Sequence, residues 1–97
     1  MAIGVIARLK IQPGKNAEFE AIFSELEAAV GANEPGNNFY SLHKSREDEN
    51  SYVVLEQYAD QAAFEAHGQT DHFKTIGAKM GGCMAGRPEI ELLDTTS

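Results

Sequence analysis

The sequence predicts an α+β domain of the ferredoxin-like kind, in which the order β-α-β-β-α-β gives a four-stranded antiparallel sheet with helices on one face. In residues 3–11 and 51–58 successive side chains take opposite faces, as they do in strands, and residues 19–30 repeat apolar residues at helical spacing. A chain of 97 residues has room for one domain. We therefore expect residues 1–97 to form a single domain, with residues 95–97 as a frayed tail.

The first strand and the first helix follow from the patterns of their apolar residues. The stretch IGVIARLKI, residues 3–11, alternates along its length, and Pro13-Gly14 ends it. The next apolar residues recur every three or four positions, which predicts a helix with one face on the sheet, and Gly31 marks its predicted end. The apolar stripe comprises Phe19, Ile22, Phe23, Leu26, Ala29 and Val30.

The second half of the chain repeats the order of strand and helix. After the turn-rich link ANEPGNN, two strands flank the charged loop REDEN. Asp60 is placed to cap a short helix, Gly68 is predicted to interrupt it, and Thr70 is placed to cap a second helix. The three remaining strands are predicted at residues 39–45, 51–58 and 89–93.

Composition excludes several kinds of partner. The chain has 15 Asp and Glu against 8 Lys and Arg, so it cannot neutralise a run of phosphates, and we expect neither nucleic acid nor an anionic membrane surface as a partner. No segment approaches the ~20 apolar residues of a membrane span. The single Cys83 has no intramolecular disulfide partner. A reduced, cytoplasmic setting is therefore the expectation.

The first and third predicted strands carry apolar residues on both faces. Helices would cover one face of the sheet, which leaves the other face in need of a cover. In so short a chain the natural cover is a second copy of the same sheet. The sequence therefore predicts a homodimer.

Two histidines stand close together in EAHGQTDHFK, residues 65–74. A helical pair that shares a metal is spaced i, i+4, whereas His67 and His72 are five residues apart, which turns them by about 140° on a continuous helix. No third ligand stands at a recognisable spacing, and no glycine-rich phosphate motif follows a strand. We expect no metal and no organic cofactor.

Polar residues in apolar surroundings are the remaining candidates for a site. Glu56 follows the apolar run Val53-Val54-Leu55 of a predicted central strand, where a carboxylate is either hydrogen-bonded for structure or lies in a pocket with a raised pKa. His67 ends a helix, where it either serves as a general acid/base or stabilises the helix end. The sequence leaves both pairs of alternatives open.

The segments EPGNNFYSLHKS and YVVLEQYADQAAFEAHGQTDHFK resemble the antibiotic biosynthesis monooxygenase family. The likeness starts at VIARLKIQPGKNAEFE and extends to the last strand, so it covers nearly the whole chain. It implies a ferredoxin-like fold that dimerises through its sheets into an α+β barrel, with a pocket between sheet and helices in each subunit. Members include cofactor-independent monooxygenases of quinols and phenols, haem-degrading enzymes and an isomerase of a phosphorylated autoinducer.

Within that family, Ala7 stands where haem degraders have asparagine, and Tyr58 stands where haem degraders and many aromatic monooxygenases have tryptophan. The segment around His67 and His72 is similar to that of the small quinol monooxygenases. It is also similar to that of the autoinducer isomerase, which shares a tyrosine at the position of Tyr58. The resemblance therefore leaves both oxygenation and isomerisation open.

The leading hypothesis is a monooxygenase that oxidises a quinol or related small phenolic substrate with O2, with His67 as its acid/base. The alternatives are an isomerase or tautomerase of a small phosphorylated or enediol metabolite, and a non-catalytic small-molecule binding or stress-response module. The residues expected to bind the small aromatic substrate are Tyr40, Glu56, Tyr58, Phe64, His72 and Phe73.

Overall fold

The computed structural model describes residues 1–97 as four strands and three helices. The sheet has the order β2-β3-β1-β4, and every neighbouring pair is antiparallel. This confirms the predicted ferredoxin-like sheet, with the second helical segment divided in two. The elements are β1 (Ile3–Lys10), α1 (Asn16–Asn33), β2 (Asn37–Lys44), β3 (Ser51–Tyr58), α2 (Gln61–Gln69), α3 (Asp71–Gly81) and β4 (Glu89–Asp94).

The end of α1 corrects a prediction. Gly31 does not end the helix, which continues to Asn33. The side chain of Asn33 donates to the carbonyl of Ala29 at 2.8 Å, and the N–H of Glu34 donates to the carbonyl of Val30 at 3.0 Å. These bonds complete the last turn despite the weak helix propensity of glycine, and Pro35 then stops the helix because it disfavours helical geometry in the residue before it.

The junction between α2 and α3 corrects a second prediction. Gly68 does not interrupt α2, which continues to Gln69. The break lies at Thr70, whose φ of −71° and ψ of 149° are extended. Its hydroxyl donates to the carbonyl of His67 at 2.8 Å and accepts from the N–H of Phe73 at 3.2 Å. Thr70 therefore ends one helix and caps the next, as predicted for the cap of α3.

The core lies between the helices and one face of the sheet, here called the inner face. The side chains of Val5 and Ala7 in β1 and of Val54 in β3 are buried there beneath the helices. On α1 the predicted stripe is buried at Phe19, Phe23, Leu26 and Val30. Burial of each such side chain stabilises the fold by about 1.5–3 kcal/mol.

The opposite face of the sheet, here called the outer face, has no helix over it. Phe39, Leu55 and Leu93 expose 47%, 38% and 44% of their surface there. On the inner face, Ile90 and Leu92 of the edge strand β4 are also exposed, because the helices do not reach that far. The dimer that would cover these apolar side chains stays a prediction.

The two ends of the chain meet beside β1. The N–H of Thr95 donates to the carbonyl of Ala2 at 3.1 Å, and the N–H of Ala2 donates to the hydroxyl of Thr95 at 3.1 Å. None of the three helices combines the length and the apolar character that crossing a bilayer requires.

Candidate functional site

A cavity of about 700 Å³ opens between the inner face of the sheet and α2. Its volume falls in the range of pockets that bind small organic ligands. Strands β1, β2, β3 and β4 form one wall, and the residues of α2 with Phe73 of α3 form the other. The lining residues are Val5, Tyr40, Glu56, Ala62, Phe64, Glu65, Ala66, His67, Gly68, Gln69, Phe73 and Ile90.

The carboxylate of Glu34 holds two histidines beside this cavity. Glu34 follows the last turn of α1, and only 8% of its side chain is exposed. Its oxygens lie 2.9 and 3.1 Å from Nδ1 of His67, and one of them lies 2.5 Å from Nε2 of His72. The helix break at Thr70 lets both rings reach one carboxylate although they are five residues apart in sequence.

The other ring nitrogen of His67 faces the cavity. Nδ1 is the only atom of this ring that hydrogen-bonds within the chain. No buried side-chain nitrogen or oxygen of the chain lacks a hydrogen-bond partner, so the unpartnered Nε2 must be accessible. The space beside His67 is the cavity, and Nε2 is therefore the nitrogen that a ligand can meet.

The surroundings of His67 favour its neutral form. Its ring lies among those of Tyr40, Tyr58 and Phe73, with centroid distances of 5.3, 5.3 and 4.7 Å. Burial lowers the pKa of His67, and the carboxylate of Glu34 opposes that effect only in part. Because Glu34 accepts from Nδ1–H, the neutral ring carries its lone pair on Nε2, where it can accept a proton.

Glu56 supplies a second group that can exchange a proton. It lies on the inner face of β3, and the hydroxyl of Tyr58 donates to its Oε1 at 2.8 Å. Burial raises the pKa of Glu56 to about 7, with a further rise from the charge of Glu34, against the lowering effect of the Tyr58 hydrogen bond. Oε2 of Glu56 has no partner in the chain, so by the same reasoning it is open to the cavity.

Tyr40 offers a hydroxyl in the same cavity. Its ring stacks on Phe23 at 5.2 Å with an interplanar angle of 10°, which fixes its position on β2. Its hydroxyl makes no hydrogen bond within the chain and is likewise accessible. Burial raises the pKa of Tyr40, and the charges of Glu56 and Glu34 raise it further. The group therefore stays protonated and can donate to a ligand oxygen.

The predicted site residues fall into two layers. Five of them line the cavity: Tyr40, Glu56, Phe64, His67 and Phe73. Two lie behind that lining, since the hydroxyl of Tyr58 is used by Glu56 and His72 contacts Glu34. Neither Tyr58 nor His72 lines the cavity, although the sequence suggested that both contact the substrate directly. His43 is exposed on the outer face, away from the site.

Glu34 is the residue that the sequence analysis missed. It stands in a turn-rich link where a carboxylate is ordinarily solvated, and nothing in its local pattern indicates burial. Its position next to Pro35, where α1 must end, was the available signal. No three His, Cys, Asp or Glu side chains in the chain are arranged to hold a metal ion, and the two histidines converge on this carboxylate instead.

The fold and the site define a ferredoxin-like α+β protein with a small-molecule pocket between its sheet and helices. Residues 2–79 match the family of antibiotic biosynthesis monooxygenases. Because this match spans most of the chain, the chain belongs to that family.

Several proteins are similar to this chain in sequence, in structure or in both. YcnE of Bacillus subtilis strain 168, a candidate monooxygenase by name, is 37% identical over 75 residues, which cover 75% of this chain and 76% of that protein. A candidate antibiotic biosynthesis monooxygenase of Caulobacter crescentus CB15 has a crystal structure with a TM-score of 0.96 and 53% identity, covering 99% of this chain and 91% of that one. SnoaB of Streptomyces nogalater, described as a cofactor-independent oxygenase, gives a TM-score of 0.84 at 25% identity, covering 99% and 94%.

Proposed function

We propose that this protein is a monooxygenase that oxidises a quinol or a related small phenolic substrate with O2, without a metal or organic cofactor. The observation that carries the proposal is the geometry of His67. One nitrogen of its ring is held by a buried carboxylate, and the other is free in a largely apolar cavity. SnoaB, a structural relative described as a cofactor-independent oxygenase, lends the reaction class further support.

The first step is removal of a phenolic proton. Nε2 of His67 accepts the proton, and the carboxylate of Glu34 stabilises the imidazolium that forms. The resulting phenolate is electron-rich and can reduce O2 directly. A substrate ring bound there would displace water from the cavity, which protects the reactive intermediate from side reactions.

The overall reaction balances without another reductant. A quinol and O2 give a hydroxyquinone and water: one oxygen atom replaces a ring hydrogen, and the other leaves as water. The quinol supplies all four electrons, two on becoming a quinone and two on gaining the new C–O bond. His67 returns its proton to the reduced oxygen, so no net proton is taken up or released.

Three further groups orient the substrate in this proposal. The hydroxyl of Tyr40 donates to a substrate oxygen, and the free oxygen of Glu56 exchanges a hydrogen bond with the second hydroxyl of the quinol. Phe64 and Phe73 provide apolar walls for the ring. Tyr58 acts through Glu56, and His72 through Glu34.

The charge of the cavity favours a neutral quinol over a phosphorylated substrate. The ionisable acidic residues of its lining are Glu56 and Glu65, and the lining contains no lysine or arginine. Of the cations near the site in sequence, Lys79 lies 3.6 Å from Glu25 on the protein surface, and Lys74 lines a smaller neighbouring cavity and not this one. An isomerase of a phosphorylated metabolite would need a cation where the substrate phosphate lies.

We propose that the protein is a homodimer in the cytoplasm. We expect residues 1–97 to act as one domain, in a cytoplasmic homodimer whose subunits meet through the outer faces of their sheets. The exposed apolar side chains Phe39, Leu55 and Leu93 support this arrangement.

The test is oxidation of a panel of hydroquinones under ¹⁸O2, with the products analysed by mass spectrometry. The proposal expects one ¹⁸O atom in the hydroxyquinone and one in water, at a rate above autoxidation. Turnover without O2 would identify an isomerase instead. Ligand-induced thermal stabilisation with no product in either atmosphere would identify a binding module.

A further inference from the structure

A second cavity, of about 310 Å³, adjoins the first. The two share four lining residues: Tyr40, Gly68, Phe73 and Ile90. The second cavity extends along the inner face of the sheet, beneath α3 and toward Met80 and Met84. The shared residues place the two cavities side by side.

A glycine on the inward face of α3 makes room for this cavity. Gly77 lies one turn from Phe73 and Met80 and next to the buried Ile76, so it stands on the helix stripe that faces the sheet. A Cβ added at Gly77 would meet no atom within 4 Å. Because Gly77 also lines the second cavity, the space that a side chain would occupy at this position belongs to that cavity.

The second cavity differs from the first in its chemistry. Its lining combines aliphatic and thioether side chains such as Leu9, Val54 and Met80. It contains no carboxylate and no histidine, and Lys74 is its one charged residue. Such a lining suits an aliphatic chain, since Lys74 and Tyr40 are the only side chains in it that readily hydrogen-bond.

We propose that the substrate carries an apolar aliphatic arm on its hydroxylated ring. The ring occupies the first cavity against His67 and Glu56, and the arm lies in the second cavity beneath Gly77. The arm itself is argued from the second cavity, whereas the hydroxylated ring rests on the proposed function. The substrate class is thus an alkylated or prenylated quinol or phenol.

The test is calorimetric binding of 4-alkylphenols with arms from methyl to nonyl. Each added methylene that enters the cavity lowers Kd about threefold to fourfold, and the gain stops once the cavity is full. Binding is measured at equilibrium and without O2, so that the result does not depend on turnover of the phenol.

Gly77→Leu is the decisive variant, because its side chain would fill the second cavity. It should remove the gain from longer arms while leaving the Kd of 4-methylphenol unchanged. Leucine is a better helix former than glycine, so the variant should fold. Gly77→Ala fills less of the cavity, and in this variant the affinity should stop increasing at a shorter arm than in the parent protein. Gly31→Leu, on the exposed side of α1, is the matched control and should keep the full dependence on arm length.

Three results would overturn the inference. The first is a Kd that does not depend on arm length in the parent protein. The second is the same dependence in Gly77→Leu as in the parent. The third is a change of molecular mass in Gly77→Leu with unchanged binding, which would assign the cavity to a second copy of the chain. Arm-dependent binding without oxidation would leave this inference standing and remove the monooxygenase, whereas oxidation without arm dependence would do the reverse.

Discussion

Nδ1 of His67 lies 2.9 Å from an oxygen of Glu34, and both side chains are more than nine-tenths buried. A buried carboxylate needs partners, and Glu34 has two, since Nε2 of His72 contacts its other oxygen. The arrangement fixes the orientation of the His67 ring and directs Nε2 at the cavity. Glu34 is therefore a positioning residue for His67 in the proposed reaction.

Replacing Glu34 with glutamine should make His67 a weaker base while the shape of the site is kept. The amide keeps the volume of the carboxylate but loses the charge that raises the pKa of His67. We expect kcat/KM to fall roughly a hundredfold, because the amide stabilises the imidazolium less well than the carboxylate does, and the acid limb of the pH profile to move to lower pH. Titration of His67 by ¹H–¹⁵N NMR measures the same change in the absence of substrate.

The matched control for this variant is Glu27→Gln, on the exposed side of α1. It removes one carboxylate from the helix that precedes Glu34 and should leave both the rate and the His67 titration unchanged. A His67 pKa in Glu34→Gln equal to that of the parent would contradict the role assigned to Glu34.

Glu56 should make the protein less stable as the pH rises. Burial raises its pKa from 4.5 to about 7. Between these values the folded chain binds more protons than the unfolded chain, so the free energy of unfolding falls as pH rises through this window. Glu56→Gln mimics the protonated form, and its stability relative to the parent should grow from pH 5 to pH 8 by up to about 3 kcal/mol. Chemical denaturation across this range would measure it, and a constant difference would refute the raised pKa.

Tyr58→Phe should raise the pKa of Glu56 further. The Tyr58 hydroxyl donates to Oε1 of Glu56 at 2.8 Å and favours its charged form. Without that donor, carboxyl ¹³C NMR should place the Glu56 titration above about 7. The fold should persist, with a loss of about 1 kcal/mol from the missing hydrogen bond. An unchanged or lower pKa would show that another group sets the protonation of Glu56.

The outer face should mediate dimerisation. Leu55 lies on the central strand β3 and exposes 38% of its surface on that face. Leu55→Arg would place a charge in the interface and should convert a dimer to a monomer, as measured by light scattering at micromolar concentration. Glu27→Arg, on the opposite side of the molecule, should remain dimeric. A parent protein that is already monomeric under these conditions would contradict the predicted dimer.

The sheet was predictable because its signals are local. In SYVVLEQY the alternation places Tyr52, Val54, Glu56 and Tyr58 on one face, and the structure buries all four on the inner side. The cap formed by Thr70 was predictable for the same reason, since it depends on residues within three positions. Gly31 and Gly68 misled the prediction of helix ends, because hydrogen bonds and a better breaker nearby outweigh the modest helix penalty of glycine.

The candidate site was predictable only in part because it is assembled from distant segments. The sequence indicated His67 and Glu56 as polar residues in apolar surroundings, and both line the cavity. It could not indicate that Glu34, more than 30 positions before His67, comes to lie beside it. The i, i+4 rule for histidine pairs assumes a continuous helix, and the break at Thr70 removes that assumption.

Oxygen uptake with a hydroquinone, compared between the parent and His67→Gln, tests the central claim most directly. Glutamine keeps a donor for Glu34 and much of the volume of histidine, so the fold should be preserved, but it supplies no base at the cavity. We predict a rate at least about a hundredfold lower in the variant, as expected when a general base is lost, and parent-like uptake in the exposed control His43→Ala. Equal oxygen uptake by the parent and His67→Gln would contradict the assignment of His67 as the base.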